Sequence, residues 1–166
     1  LIDRLTQCGW CDAVGFDNYL GGRLAAQYLL EGGHTRIGIV TGDIAESSAA
    51  ERRRGFVDAI EQSGKHFDSS LCVEGDYRFD SGYRAANQII DGGATAVFCC
   101  NDVMALGFRQ RMAERGLHVT EDMQVIGYDN ILKRFGLGWR MTTVEQSVTD
   151  LAAACWGMLR KRIDVA

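Results

Sequence analysis

Apolar positions divide the chain into two kinds of segment that alternate along most of its length. Short, nearly continuous apolar runs predict buried strands, and longer segments with apolar residues every three or four positions predict helices. The predicted strands are residues 12–17, 35–42, 70–76, 95–100, 122–129 and 141–146. The predicted helices are residues 19–33, 48–64, 80–93, 102–116 and 148–163. Several of these helices end at glycine, and Asp80 is expected to cap the third one.

Alternation of buried strands with helices predicts an α/β fold, a Rossmann-like doubly wound parallel sheet in three αβα layers. Ligands of such sheets bind at the carboxyl ends of the strands, beside a topological switch point. Polar residues follow the predicted strands at 43–48, 76–77, 101–102 and 129–130. The sequence therefore places a candidate site at this edge of the sheet.

The residue types at that edge suit a sugar. Each hydroxyl both donates and accepts, so it pairs with a carboxylate acceptor and with a guanidinium or amide donor. An aromatic ring such as Tyr77 could cover the apolar face of the sugar. The simpler interpretation is that Asp43, Asn101 and Asp129 are helix caps or turn residues. Both interpretations stay open at this point.

Composition limits the partners of the chain. Its 166 residues carry a net charge of −4 and 46% hydrophobic residues. Its basic runs are short, such as 52–54, so the chain itself is not expected to bind nucleic acid. No apolar run approaches the roughly 18 residues of a membrane span. The start, "LIDRLTQCGW", does not resemble a signal peptide and lacks Met, so we expect a chain clipped at its front.

Cys8 and Cys11 in "CGWC" have the spacing of a redox pair or of half a zinc site. A strand rather than a helix is predicted to follow them, and no second ligand pair is present, so they are interpreted as incidental loop cysteines. Cys99 and Cys100 fall in a predicted buried strand, and Cys155 lies on an apolar helix face. We expect reduced thiols, a cytoplasmic location and no metal site.

Catalytic and cofactor motifs are missing from the sequence. No GxGxxG joins a strand to a helix, and neither GxxxxGK[ST] nor GxSxG occurs. His34 and His118 precede strands, at the edge away from the candidate site. The sequence therefore predicts a protein that is not an enzyme and binds no cofactor.

Six ordered segments resemble the effector-binding core of the lactose/galactose-repressor (LacI/GalR) family, which shares the periplasmic-binding-protein fold. They are "VGFDNYLGGRLAAQYLLEGGHTRIGIVTG", "ERRRGFVDAI", "VEGDYRFDSGYRAA", "AVFCCNDVMALG", "GLHVTEDMQVIGYDN" and "MTTVEQS". The resemblance covers nearly everything from Asp12 to the last helix.

The resemblance implies a helix-turn-helix, a hinge and two lobes with a small-molecule effector between them. The chain then divides into a crossover from a first lobe (1–11), the second lobe (12–137), and a strand and helix that cross back (138–166). It implies a homodimer that regulates transcription by allostery. By the same resemblance, DNA is expected to be contacted only through the helix-turn-helix, and we expect this sequence to leave out that element, most of the first lobe and the final strand.

The family's effector contacts transfer onto individual residues of this sequence. Arg52 and Asp129 match its ligand arginine and carboxylate, Asn101 matches the Asn of sugar-responsive members, and Tyr77 matches a ring-stacking aromatic. Glu46 and Ser48 stand where the purine-responsive member has a ligand-contacting Arg and Thr. Because Glu46 would repel an anion, the resemblance favours a neutral sugar as effector.

The sequence departs from the family in having no proline, where average usage predicts about eight. Thr120 and Ser147 stand where the family usually has proline. The missing prolines leave open an engineered single-lobe protein without activity. Two further alternatives also stay beside a repressor domain: a periplasmic sugar receptor of a transporter, which shares the fold, and a thiol oxidoreductase centred on Cys8 and Cys11.

Overall fold

The computed structural model describes residues 1–2, 11–131 and 141–164. Its helices are α1 (Asn18–Glu31), α2 (Ser47–Gln62), α3 (Phe79–Asp91), α4 (Asp102–Glu114) and α5 (Val148–Asp164), with a 3₁₀ turn at Ser69–Leu71. Its strands are β1 (Ile37–Thr41), β2 (Cys72–Glu74), β3 (Ala96–Cys99), β4 (Gln124–Asp129) and β5 (Thr142–Glu145).

The five strands form one parallel sheet in the order β2-β1-β3-β4-β5. Helix α1 packs on α2 and α3 packs on α4, which gives a three-layer α/β fold. The prediction of a doubly wound parallel sheet is confirmed. From β1 the chain adds β2 on one side, then returns past β1 and adds β3 on the other side. The topological switch point therefore lies between β1 and β3.

The central strands are buried on both faces, as their continuous apolar sequences predict. All residues of β1 and β3 are buried. The core between sheet and helices is formed mainly by aliphatic and aromatic side chains, including Leu29, Ile39, Phe56, Phe98 and Phe108. This packing fixes the carboxyl ends of the strands relative to the helices that follow them.

Glycine allows the helices of each pair to approach closely. A Cβ on Gly22 would come within 2.0 Å of the backbone oxygen of Arg52, and one on Gly55 within 2.0 Å of that of Tyr19. The α3–α4 pair repeats the arrangement with Gly82 and Gly107. The glycines therefore set how near α2, and with it Arg52, lies to α1.

Two sequence predictions about local structure are wrong. Residues 12–17 do not form a strand of the sheet: Val14 makes an isolated bridge with Ile2, and none of the five described strands pairs with it to extend that bridge. Asp80 does not cap α3, since the helix begins one residue earlier, after Arg78, and Asp80 lies in the first turn. A carboxylate there still interacts favourably with the helix dipole.

Helix α5 carries the predicted apolar stripe but has no buried residue. Val148, Leu151 and Leu159 line a groove together with Ile2. Arg162 forms an ion pair with Asp12 at 2.8 Å, which connects α5 to the segment before α1. The proposed boundary at 137/138 lies outside the described residues.

The cysteines are only partly as expected. Cys72, Cys99, Cys100 and Cys155 carry free thiols, but Cys11 is disulfide-bonded, so the expectation of reduced thiols throughout is wrong. No helix begins at Cys11 to lower a thiol pKa, because α1 starts only at Asn18. Cys8 lies outside the described residues.

Candidate functional site

The first element of the site is Arg52, which α2 directs into the protein. It lies on the buried stripe of that helix, between Ala49 and Phe56, and is 5% exposed. Its Nε donates to Oδ1 of Asn18 at 2.8 Å, and Nη1 donates to the carbonyl oxygen of Cys100 at 2.6 Å. The guanidinium is thereby held between the start of α1 and the carboxyl end of β3.

The second element is Asp129, the last residue of β4. Asp129 and Asn130 both have positive φ angles, 98° and 54°, so the chain turns sharply as it leaves the strand. The side chain of Gln146, one residue beyond β5, lies between Asp129 and Arg52. Its oxygen accepts from Arg52 Nη2 at 3.1 Å and its nitrogen donates to Asp129 Oδ1 at 3.3 Å, an amide orientation assigned from the hydrogen-bond network.

Asn101 lies at the same edge and is 8% exposed. Its Oδ1 caps α4 by accepting from the backbone N–H of Met104 at 2.8 Å, and its Nδ2 donates to the carbonyl oxygen of Tyr77 at 2.9 Å. The simpler interpretation, a helix cap, is therefore confirmed. One amide hydrogen and one lone pair of Asn101 are not used by these two bonds.

Tyr77 has a positive φ of 64° and is half-buried, with its ring against Gly42, where a Cβ would come 2.0 Å from Cζ of the tyrosine. Burial raises the pKa of Tyr77, while the Ser48 hydroxyl and the charge of Arg52 oppose the rise and Glu46 adds to it. The same groups that shift this pKa are candidate site residues, so the structure brings Glu46, Ser48, Tyr77 and Arg52 together.

Tyr128, immediately before Asp129, lies under the Arg52 guanidinium, whose Cζ is 3.7 Å from the ring centroid. Burial raises the pKa of Tyr128, and the cation opposes the rise. The ring therefore stays neutral and offers its face to the cation at ordinary pH.

Sequence reasoning missed Asn18, Tyr128 and Gln146 as parts of this arrangement. Asn18 and Gln146 are buried polar residues; Asn18 directly follows the predicted strand 12–17, and Gln146 is the last residue of the predicted strand 141–146. Gln146 follows β5, whose last residue, Glu145, pairs in register with Asp129. A polar residue at the end of that strand was the available signal.

The opposite edge of the sheet carries His34. Its Nδ1 lies 3.0 Å from the Thr95 hydroxyl and its Nε2 2.9 Å from Oε1 of Gln124. Thr95 precedes β3 and Gln124 begins β4, so His34 connects the amino ends of two strands, as its position in the sequence predicted. It lies away from the candidate site.

Other kinds of site are not found in the part of the chain that the structure describes. No group of three or more His, Cys, Asp or Glu side chains there could hold a metal ion. Among the described helices, none has both the length and the hydropathy needed to cross a membrane.

Comparison with known proteins assigns the domain to a family. The model of the periplasmic binding protein-like domain matches residues 26–166. The chain therefore belongs to the periplasmic binding protein-like family, and its relatives are repressors of the LacI family.

The similarity to a curated relative is substantial. Over 155 residues the chain is 39% identical to the HTH-type transcriptional repressor PurR of Pasteurella multocida, an alignment that covers 92% of this chain and 46% of the repressor. The chain thus spans about half the length of the curated relatives it matches. These relatives are transcriptional regulators and not enzymes.

Solved structures agree with this assignment. The Escherichia coli transcriptional repressor AscG superposes with a TM-score of 0.87 at 25% identity, over 99% of this chain and 61% of that one. A LacI family regulator from Enterococcus faecium, solved with bound ribose, has a TM-score of 0.87 at 30% identity, over 98% and 61% of the two chains. The chain corresponds to part of the effector-binding domain of such repressors.

Proposed function

We propose that this chain supplies one half of the effector site of a LacI-type repressor, and that the effector is a neutral sugar. The observation that carries the proposal is the meeting of Arg52 and Asp129 at the carboxyl edge of the sheet, bridged by Gln146. A buried guanidinium beside a half-buried carboxylate offers a donor and an acceptor to neighbouring hydroxyl groups.

The residues proposed to contact the sugar share the carboxyl edge of the sheet. They are Arg52, Asn101, Asp129, Tyr77, Ser48 and Glu46. The regulator solved with ribose supports a sugar, whereas the PurR relatives, which bind purines, support a purine. The carboxylate of Glu46 disfavours an anionic guest, which supports a neutral effector, and the choice of a sugar among neutral effectors rests on the regulator solved with ribose.

The regulatory mechanism requires a second lobe. In the whole repressor, we expect the effector to bind both lobes and to favour their closed arrangement. Closure is expected to alter the dimer contacts of the first lobes and therefore the distance between the DNA-binding domains. The exposed apolar groove of α5 supports this, because residues such as Trp156 and Leu159 are then covered by the first lobe. Residues 1–11 and 138–166 are proposed to belong to that crossing, and the repressor is proposed to be a cytoplasmic dimer.

Calorimetric titration of the chain with D-ribose, D-galactose and hypoxanthine tests the proposal. One lobe provides half of the contacts, so we expect weak binding of a sugar and none of hypoxanthine. Asp129→Asn and Arg52→Ala should each abolish the sugar signal. Submicromolar binding, preference for hypoxanthine, or sugar binding that survives both substitutions would each contradict it.

A further inference from the structure

Asp102 is a fully buried carboxylate that none of the effector contacts uses. It begins α4 and has 0% exposure. Among the described residues it is the one Asp or Glu in the buried class. A buried carboxylate is retained only where hydrogen bonds or charges compensate for its lost hydration, so its partners identify its task.

Two partners of Asp102 lie in the turn after β4 and on β5. Its Oδ2 accepts the backbone N–H of Ile131 at 2.7 Å, and its Oδ1 accepts the hydroxyl of Thr143, on β5, at 2.6 Å. The Thr143 oxygen in turn accepts the backbone N–H of Asn130 at 3.3 Å. Asp102 therefore holds two successive N–H groups after β4, one directly and one through Thr143.

These two N–H groups follow a turn that the backbone does not adopt readily. Both Asp129 and Asn130 have positive φ, which is disfavoured for residues with a Cβ. Successive N–H groups in such turns form a concavity that binds anions. Here the Asp102 carboxylate accepts the Ile131 N–H and the Thr143 oxygen accepts the Asn130 N–H, and the position of Asp102 at the start of α4 favours its negative charge.

The carboxylate is not required for capping. Asn101 already caps α4 through the Met104 N–H, and the side chain of Asp102 points across the sheet instead. Gly127 makes this path possible, because a Cβ there would come 2.2 Å from Oδ1 of Asp102. The Asp102 carboxylate can therefore lie against β4 only because residue 127 has no side chain.

We propose that Asp102 is a positioning residue. Together with Thr143 it holds the turn after β4 in the conformation that places the Asp129 carboxylate at the carboxyl edge of the sheet. The hydrogen bonds of the turn are independent of the proposed function, whereas the effect of Asp102 on effector binding rests on that function. Asp102 itself is not proposed to contact the effector.

Hydrogen exchange of the Asn130 and Ile131 amides, followed by NMR, tests the proposal without an effector. In Asp102→Ala, both acceptor oxygens are removed, and we expect exchange at Ile131 to quicken about tenfold relative to core amides of β3. Asp80→Ala, at an exposed acidic residue in the first turn of α3, is the matched control and should change neither amide. Unchanged exchange at both amides in Asp102→Ala would overturn the proposal.

Thr143 provides a second variant if Asp102→Ala does not fold. Thr143→Val should quicken exchange at Asn130 about tenfold, and Thr143→Ser, which keeps the hydroxyl, should restore the original rate. Equal rates in Thr143→Val and Thr143→Ser would overturn the role of the hydroxyl. Titration of the variants with D-ribose is separate: absence of binding to the unaltered chain counts against the proposed function, while the amide rates still decide the role of Asp102.

Discussion

The guanidinium of Arg52 lies over the ring of Tyr128, with 3.7 Å between its Cζ and the ring centroid. The two residues come from opposite sides of the switch point, one from α2 after β1 and the other from β4. Hydrogen bonds from Arg52 to Asn18 and Cys100 fix the same group from two further elements. The charge at the candidate site is therefore part of the core, and its removal should affect both stability and binding.

Replacement of Arg52 by Met should lower the free energy of unfolding by about 3 kcal/mol, because the Cys100 carbonyl and the Asn18 amide oxygen lose a charged donor inside the protein. Arg52→Lys should recover only part of this, since a lysine lacks the planar fork. Urea unfolding measures both changes. Arg53→Ala, at the exposed neighbouring position, should stay within about 0.5 kcal/mol of the unaltered chain. A loss of that small size for Arg52→Met would contradict the structural role of the cation.

Gly55→Ala should destabilise the chain by about 3 kcal/mol, because the new Cβ would lie 2.0 Å from the Tyr19 oxygen and α1 and α2 would have to separate. Gly157→Ala is the control: nothing lies within 4 Å of its Cβ position in α5. There the substitution should stabilise by about 0.5–1 kcal/mol, through higher helix propensity. Thermal unfolding of both variants measures the difference. Equal effects at the two positions would mean that the helices do not meet at Gly55.

The sequence predicted the sheet better than it predicted the site. Continuous apolar runs predicted β1 and β3 correctly because both faces of those strands are buried, and this signal does not depend on which strands lie beside them. The predicted strand around Val14 was wrong because strand formation also needs a neighbouring strand, and among the described residues Val14 pairs through a single bridge to Ile2. Such pairing is not encoded in the local pattern.

The same distinction applies to the polar residues. Asn101 could be recognised as a cap, since the signal is local. The bridge made by Gln146 could not, because it depends on the register of β5 against β4, which places Glu145 opposite Asp129. The task of Asp102 depends in addition on the missing side chain of Gly127.

Replacement of Gln146 by Met keeps the side-chain length but removes the bonds to Arg52 and Asp129, so we expect a loss of about 1–3 kcal/mol in unfolding free energy. Glu145→Gln, at the exposed neighbouring position, should change stability by less than about 0.5 kcal/mol. Guanidinium unfolding of the two variants provides the comparison. If both substitutions proved neutral, the bridge would contribute nothing to the stability of the chain.

Alkaline pH should destabilise the chain through its buried thiols. Burial raises the pKa of Cys100 from 9.0 to about 12 and that of Cys99 well above its usual value. Between pH 9 and 12 the unfolded chain releases these protons while the folded chain retains them, so the free energy of unfolding falls by up to about 1.4 kcal/mol per pH unit for each thiol.

Unfolding measured from pH 8 to 11 tests this pH dependence, and Cys100→Ala should reduce the slope. Gln27→Ala, at an exposed residue of α1 that does not titrate, is the control and should leave the slope unchanged. Stability that is constant over this range in the unaltered chain would show that the thiols are not buried as described.

Residue-resolved NMR titration of the chain with D-ribose and hypoxanthine at millimolar concentrations is the most direct test of the effector site. The account predicts that D-ribose shifts the amides of Ser48, Tyr77 and Asn130 together, at the carboxyl edge of the sheet, and that Asp129→Asn removes these shifts. Shifts centred on His34 and Thr95 at the amino edge, or no localised shifts with either compound, would contradict it.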